Sequence, residues 1–308
     1  MLTEHGAKIA PRTFWAWAKR APSKRALWDA AITGVLAGKY VPDQDGRRPP
    51  EALYGARKMW AHLHREGITV ARCTVERLMR AHDWRGKRRC KMVRTTVPDP
   101  SVVRPTDLVD RQFQVEAPNL LLVADFTYVR LATGAFCYVA FVIDAFAGMI
   151  IGWDTSMTKH ASFVESAIRQ AVSFRARQGR PMHRTIHHSD AGSQYTAIYF
   201  GETLELAGLR PSIGTVGDAY DNALAETTIG DYKYECIEPD SPFRRGPLRG
   251  RADVDLITDE YVHWHNYDRL MHRLGLIPPA EAEAAHYAQP QDPESTESHE
   301  TEGASNPG

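Results

Sequence analysis

Three carboxylates in this sequence stand where an acidic side chain needs a reason. Asp125 interrupts an otherwise apolar run, VADFTYV, and a buried carboxylate is unfavourable unless it is paired or bound to a metal. Asp190 closes a second run, TIHHSD, and is followed by the flexible AGS. Glu226 lies in AYDNALAETTIGDYKYEC, whose alanines and Asp/Asn start signals predict a helix. Three oxygen ligands of this kind suit Mg²⁺ or equally Mn²⁺. Two such ions about 3.5–4 Å apart can stabilise both the attacking and the leaving oxygen of an in-line phosphoryl transfer. Taken singly, each acid could equally be a surface or capping group. Their spacing adds weight: 35 residues separate Asp190 from Glu226. Lys233 follows Glu226 by two helical turns on the same face, and Asn222 precedes it by one.

The elements that must position these groups are legible from periodicity. LLVADFTYVRL, FCYVAFVIDAF and MIIGWDTS read as strands separated by the turn signals ATGA and AFAG, which predicts an antiparallel meander. A helix follows, with Val164, Ala167, Ile168, Ala171 and Val172 along one face. Next come the short strand RTIHHSD, a loop AGSQY and a helix from about Thr196 to Ala207. The order describes an α/β protein, a mixed sheet covered by helices that presents polar groups where its strands end. His188 could orient Asp190 or position substrate, although a strand-end histidine is more often simply hydrogen-bonded. Asp144, ending FVID, is read as structural.

The first hundred residues have a different character. Helices are expected over Ile9 to Ala18 and Ala26 to Leu36, with VPDQDGRRPP as a loop. Tyr54, Met59, Trp60, Leu63 and His64 fall near helical spacing, and Glu66-Gly67 closes that helix. A second helix opens at Thr69 or Val70 and turns Val75, Leu78 and Met79 inward. Two helices joined by a glycine-containing turn form a candidate helix-turn-helix. The second exposes Arg72, Arg77 and Arg80 and runs into RGKRRCKMVR, with Lys87, Arg88 and Arg89; only Glu76 and Asp83 oppose this stretch. A solvated helix normally mixes both signs, so the bias favours a phosphate backbone as partner.

The net charge of zero hides that asymmetry. Residues 1–104 hold 22 Lys and Arg against 9 Asp and Glu, a net of +13, and the remainder carries −13. One part is built to meet a polyanion and the other is rich in carboxylates. Cys73, Cys90, Cys137 and Cys236 lack the close pairing that zinc sites or redox dithiols need. No run of about 18 apolar residues and no hydrophobic N-terminal signal occur, which predicts a cytoplasmic protein with no membrane partner. The expected organisation is a helical, basic, DNA-binding region over residues 1–96, a Pro-rich linker over 97–112, a catalytic core with C-terminal helices over 113–285, and a disordered tail over 286–308.

The carboxylate spacing, HSDAGSQYT, GDAYDNALAE and the later Asn266, Arg269, Leu274 and Gly275 of HNYDRLMHRLG closely resemble the bacterial insertion-sequence transposases related to retroviral integrase, specifically their second open reading frame. The resemblance covers about residues 50 to 285. It implies an RNase H-like mixed-sheet catalytic core preceded by an all-α helix-turn-helix segment. It also implies a metal-binding triad of Asp125, Asp190 and Glu226, with Lys233 contacting DNA near the site. The activity implied is metal-dependent DNA cleavage and strand transfer, with insertion-sequence ends and target DNA as substrates and a homo-oligomer assembled on the DNA. A nuclease of the same fold and an inactive DNA-binding regulator are the alternatives. The family pattern places a histidine two residues after the arginine of the last motif; here Met271 stands there and His272 comes one later. In such families an upstream frame supplies a further helix-turn-helix and an oligomerisation helix, as a partner or by fusion.

Overall fold

The computed structural model describes residues 10–87, 115–183, 185–189, 208–213 and 223–289. Two units emerge, Met1–Arg88 and Arg89–Gly308.

In the second unit, alternating and near-continuous apolar runs form β1 (Leu121–Arg130), β2 (Phe136–Asp144) and β3 (Met149–Ser156). Gly134 and Gly148, at φ 87° and 68°, sit in the two connecting turns, where a side chain would be strained. The three strands form the expected antiparallel meander. β4 (Ile186–Ser189) then pairs parallel with β1, and β5 (Arg210–Ile213) parallel with β4. The sheet order is β3-β2-β1-β4-β5, the mixed sheet of an RNase H-like fold. β5 was not foreseen: RPSI is four residues long and contains Pro211, so it shows neither alternation nor strand propensity.

The two faces of the sheet carry different loads. Leu122, Ala124, Ala140, Val142 and Ile151 pack beneath α5 (Ser162–Arg177) through Val164, Ala167, Ile168 and Ala171. Gly152 lets α5 lie directly on β3, because a Cβ there would collide with the Ala167 carbonyl oxygen and press on Ala171. On the opposite face Phe141 meets Tyr232 with ring centres 5.0 Å apart. Tyr232 ends α6 (Ala223–Tyr232), which continues as a π-helical turn over Lys233–Ile237. The Tyr232 hydroxyl lies 2.7 Å from Thr258 Oγ1 on α7 (Arg251–Tyr267).

The final helix, α8, spans Pro279–Ala288, so it passes the boundary expected at residue 285. The extension is anchored: the Arg180 guanidinium stacks 3.5 Å over the Tyr287 ring, and His286 meets Phe146 with ring centres 5.0 Å apart. The expected linker, the helix from Thr196 to Ala207 and the tail beyond Gln289 lie outside the described residues.

The first unit contains α1 (Pro11–Ala18), α2 (Lys24–Tyr40), a 3-10 turn (Pro50–Leu53), α3 (Ala56–Arg65) and α4 (Arg72–Ala81). Ser23 caps α2 by accepting the Ala26 amide at 3.1 Å. Gly67, at φ 80°, makes the turn between α3 and α4. Ile32, Leu36, Met59, Leu63, Val75, Leu78 and Met79 are buried. Of the residues at helical spacing on α3, Trp60 is half-buried and His64 exposed. Both reach the Val70 carbonyl at 3.0 Å and so tie the turn to α3. No helix among the described residues is long and apolar enough to cross a membrane.

Candidate active site

Asp125 sits halfway along β1, paired across the ladder with Phe141. The two side chains therefore share the face on which Tyr232 of α6 packs. The carboxylate is half-buried, and its Oδ1 accepts the Phe126 amide at 2.7 Å. The parallel ladder between β1 and β4 runs from Leu121↔Ile186 to Ala124↔Ser189. Its last pair immediately precedes Asp125 on one strand and Asp190 on the other; Asp190 itself lies outside the described residues.

Glu226 is exposed in the first turn of α6, a position that also suits the helix dipole. The same helix carries Ala225, Thr228, Ile229 and Tyr232 as its buried stripe, and it rests on β1 and β2. Lys233 opens the π-helical turn with its Nζ 4.7 Å from the centre of the Tyr128 ring. Burial lowers its pKa below the ordinary lysine range, and the Asp125 carboxylate draws it back upward. The structure thus brings Asp125 and Lys233 into one electrostatic neighbourhood. Asn222 lies outside the described residues.

β4 is held firmly. His188 Nδ1 lies 3.1 Å from Ser212 Oγ on β5. His187 is fully buried, and burial lowers its pKa to about 4, so it is neutral at physiological pH.

The residues of HNYDRLMHRLG do a different job. Asn266 accepts the Ile150 amide at 2.9 Å and donates to the Ile150 carbonyl at 2.8 Å, clamping β3 at the bulge opposite Val142 and Ile143. His265 Nε2 stands 3.0 Å from the Gly148 carbonyl. Arg269, nearly buried, donates to Glu235 at 2.6 and 2.8 Å and to Asp231 at 2.9 Å. It also contacts Met271 Sδ at 2.7 Å, so the methionine that departs from the family pattern faces the guanidinium. Arg269 thereby pins the helix that bears Glu226 and Lys233. Asp144 is wholly buried against Arg175 at 2.8 Å, while Arg175 also holds Glu283 at 2.7 Å.

In the first unit Arg72, Arg77 and Arg80 are exposed along α4 and Lys87 is half-buried. Arg72 pairs with Glu76 at 3.1 Å and Arg77 with Asp29 of α2 at 2.6 Å. Periodicity within one helix could not reveal Asp29, 48 residues away. Arg88 and Arg89 lie outside the described residues.

Comparison with known proteins closes the assignment. Residues 115–219 match the family "Integrase core domain" and residues 45–91 the "HTH-like domain". Over 286 residues the chain is 47% identical to the "Putative transposase for insertion sequence element IS986/IS6110" of Mycobacterium tuberculosis, covering 92% of this chain and 98% of that one. The chain belongs to the insertion-sequence transposases. Another relative, the "Transposase for insertion sequence element IS629" of Shigella sonnei, is 48% identical over 236 residues, covering 77% of this transposase and 75% of its own length. Among solved structures, a chain of the simian T-cell lymphotropic virus intasome aligns at 16% identity and a TM-score of 0.47, over 80% of this chain and 76% of that one. The HTLV-2 integrase catalytic core with magnesium aligns at 18% and 0.42, over 55% and 98%. The integrase-core match includes Asp125 and Asp190 and stops seven residues before Glu226.

Proposed function

We propose that Asp125, Asp190 and Glu226 hold two Mg²⁺ or Mn²⁺ ions, and that with them this transposase cuts DNA at the ends of its element and joins the freed 3′-hydroxyls to target phosphates, a DDE-type polynucleotidyl transfer. The observation that carries this reading is the β1–β4 register. The last described pair of that ladder, Ala124↔Ser189, stands immediately before Asp125 on β1 and, in the sequence, immediately before Asp190.

The donor set fits such ions. Both described carboxylates are hard oxygen donors with solvent access, Asp125 half-buried and Glu226 exposed, which leaves room for the waters that Mg²⁺ retains and for a phosphate. No group of three or more His, Cys, Asp or Glu stands together for a metal among the described residues, and the third acid of the set lies outside them. When bound, the ions supply charge stabilisation to the attacking and leaving oxygens. The protein's own residues do the rest. The carboxylates orient the ions, and Lys233 with Asn222 offers donors to the phosphate backbone that the acids would otherwise repel. Arg72, Arg77, Arg80, Lys87, Arg88 and Arg89 anchor DNA along the first unit. The working assembly is an oligomer on paired ends in the nucleoid, joined by an upstream-frame helix-turn-helix protein.

The test is a strand-transfer assay with Mg²⁺ on a fragment carrying the element's ends, comparing wild type with Asp125→Asn and Asp190→Asn, with and without the upstream protein. Joined products from wild type, reduced roughly a thousandfold in either variant at unchanged thermal stability, support the reading. Cleavage without joining selects the nuclease, and binding without chemistry under every condition selects the regulator.

A further inference from the structure

Next to the proposed metal site the sheet carries an aromatic surface that its core does not use. Tyr128 on β1 is 57% exposed and Phe136 on β2 is 43% exposed. Their rings meet edge-to-face with centres 5.3 Å apart. Lys233 Nζ stands over the Tyr128 ring at 4.7 Å, and Arg130, paired across the ladder with Phe136, is exposed. A single exposed aromatic is ordinary on a protein surface. Two in mutual contact, with a cation on one ring and another beside them, make a surface with π-faces for a base and positive charges for the phosphates that flank it.

Its position specifies the occupant. Tyr128 follows Asp125 by three residues on one strand, roughly 10 Å at the backbone, so the two side chains leave the sheet on opposite faces and meet only around the edge of β1. Lys233 spans that interval, touching the Tyr128 ring while feeling the charge of Asp125. The described pairing between β1 and β4 runs as far as Ala124, and among the described residues no strand covers this edge of β1 from Asp125 onward. A duplex buries its base faces by stacking them on one another, and only an unpaired base can offer one to a side chain.

We propose that Tyr128, braced by Phe136 and Lys233, is a stacking platform for an unpaired base of the DNA end held at the active site. This rests on the metal-site reading above only for where the DNA end lies. Stacking needs the ring and not the hydroxyl, so Tyr128→Phe should behave as wild type while Tyr128→Ala fails.

The experiment uses the full chain without divalent metal, so that chemistry plays no part. A duplex carrying the element's terminal sequence, with 2-aminopurine at each of its last three positions in turn, reports unstacking from DNA and restacking on protein by fluorescence. Affinity for a single-stranded oligonucleotide of the same sequence is measured alongside, and thermal melting verifies that each variant is folded. The expected result is a position-specific fluorescence change in wild type and Tyr128→Phe that disappears in Tyr128→Ala, together with about a tenfold weaker hold on the single strand. A signal unchanged in Tyr128→Ala, or lost equally in Tyr128→Phe, overturns the proposal. Because no metal is present, either outcome is independent of whether Asp190→Asn abolishes strand transfer, so failure of the platform and failure of the metal site are read separately.

Discussion

Two groups of carboxylates in the core unit sit in opposite circumstances. Asp144 and Glu283 are buried around Arg175, whose guanidinium is wholly enclosed and bonded to both. Asp125 and Glu226 lie where solvent reaches them, one midway along a strand and the other at the start of a helix, and the Asp125 charge is felt by the half-buried Lys233. Burial raises the Asp144 carboxyl above its usual range against the opposing pull of Arg175, so this acid depends on its partner to stay charged. The first group is satisfied inside the protein and joins α8 to the sheet. The second stands within reach of solvent. Acid in a core is therefore not by itself a sign of chemistry; what separates the two groups is whether water reaches them.

The comparison breaks most visibly through Arg175. Arg175→Ala leaves two buried carboxylates without their shared cation and should lower stability by about 4 kcal/mol, read as a shift in the urea midpoint at constant slope. Adding Asp144→Asn and Glu283→Gln removes both stranded charges and should restore much of that loss. If Arg175→Ala proves neutral, the buried cluster is not holding α8 and the contrast fails on its structural side.

Much of this contrast was legible in the sequence, and the reason it was not all legible is physical. Strand alternation and turn glycines gave β1 to β3 and α5, because those signals are local. β4 was found since TIHHSD is apolar at its start; β5 was missed since RPSI is paired and positioned by its neighbour alone. The roles of Asn266 and Arg269 were hidden for the same reason. Their partners, Ile150 and Glu235, are 116 and 34 residues away, and no period links such separations. The HNYDRLMHRLG motif marks the family, yet its described contacts are those of a clamp on β3 and α6. Similarly, Tyr128 and Phe136 read as ordinary strand aromatics until the register set them side by side on an exposed face.

A second effect sharpens the comparison from the strand that leads to Asp190. His187 is fully buried on β4, and burial depresses its pKa from 6.5 to about 4. The folded chain therefore resists a proton that the unfolded chain accepts. Stability present above pH 6.5 is lost progressively as pH falls toward 4, by about 3 kcal/mol at the lower end. Thermal melts from pH 7 to pH 4.5 should show this decline in wild type and a shallower one in His187→Asn, whose side chain has no proton to gain in that range. Identical slopes would remove His187 as a determinant of acid sensitivity.

The smallest effect separates a structural arginine from a DNA-binding one in the first unit. Arg77 is exposed on α4 and bonded to Asp29 on α2 at 2.6 Å, so the protein and a phosphate would compete for the same guanidinium. An exposed pair of this kind contributes under about 1 kcal/mol, and Asp29→Ala should barely move the melting temperature. Binding is where the two roles diverge. If Arg77 meets phosphate, removing its internal partner frees a cation, and gel shifts across a salt series should show tighter binding at low salt with a slope steeper by up to about 0.9. Arg77→Ala should then weaken binding in either background. If Arg77 serves only to hold α2 against α4, both substitutions change stability by the same small amount and leave the salt slope untouched, which would confine the DNA-facing surface of α4 to residues such as Arg80 that no carboxylate holds among the described residues.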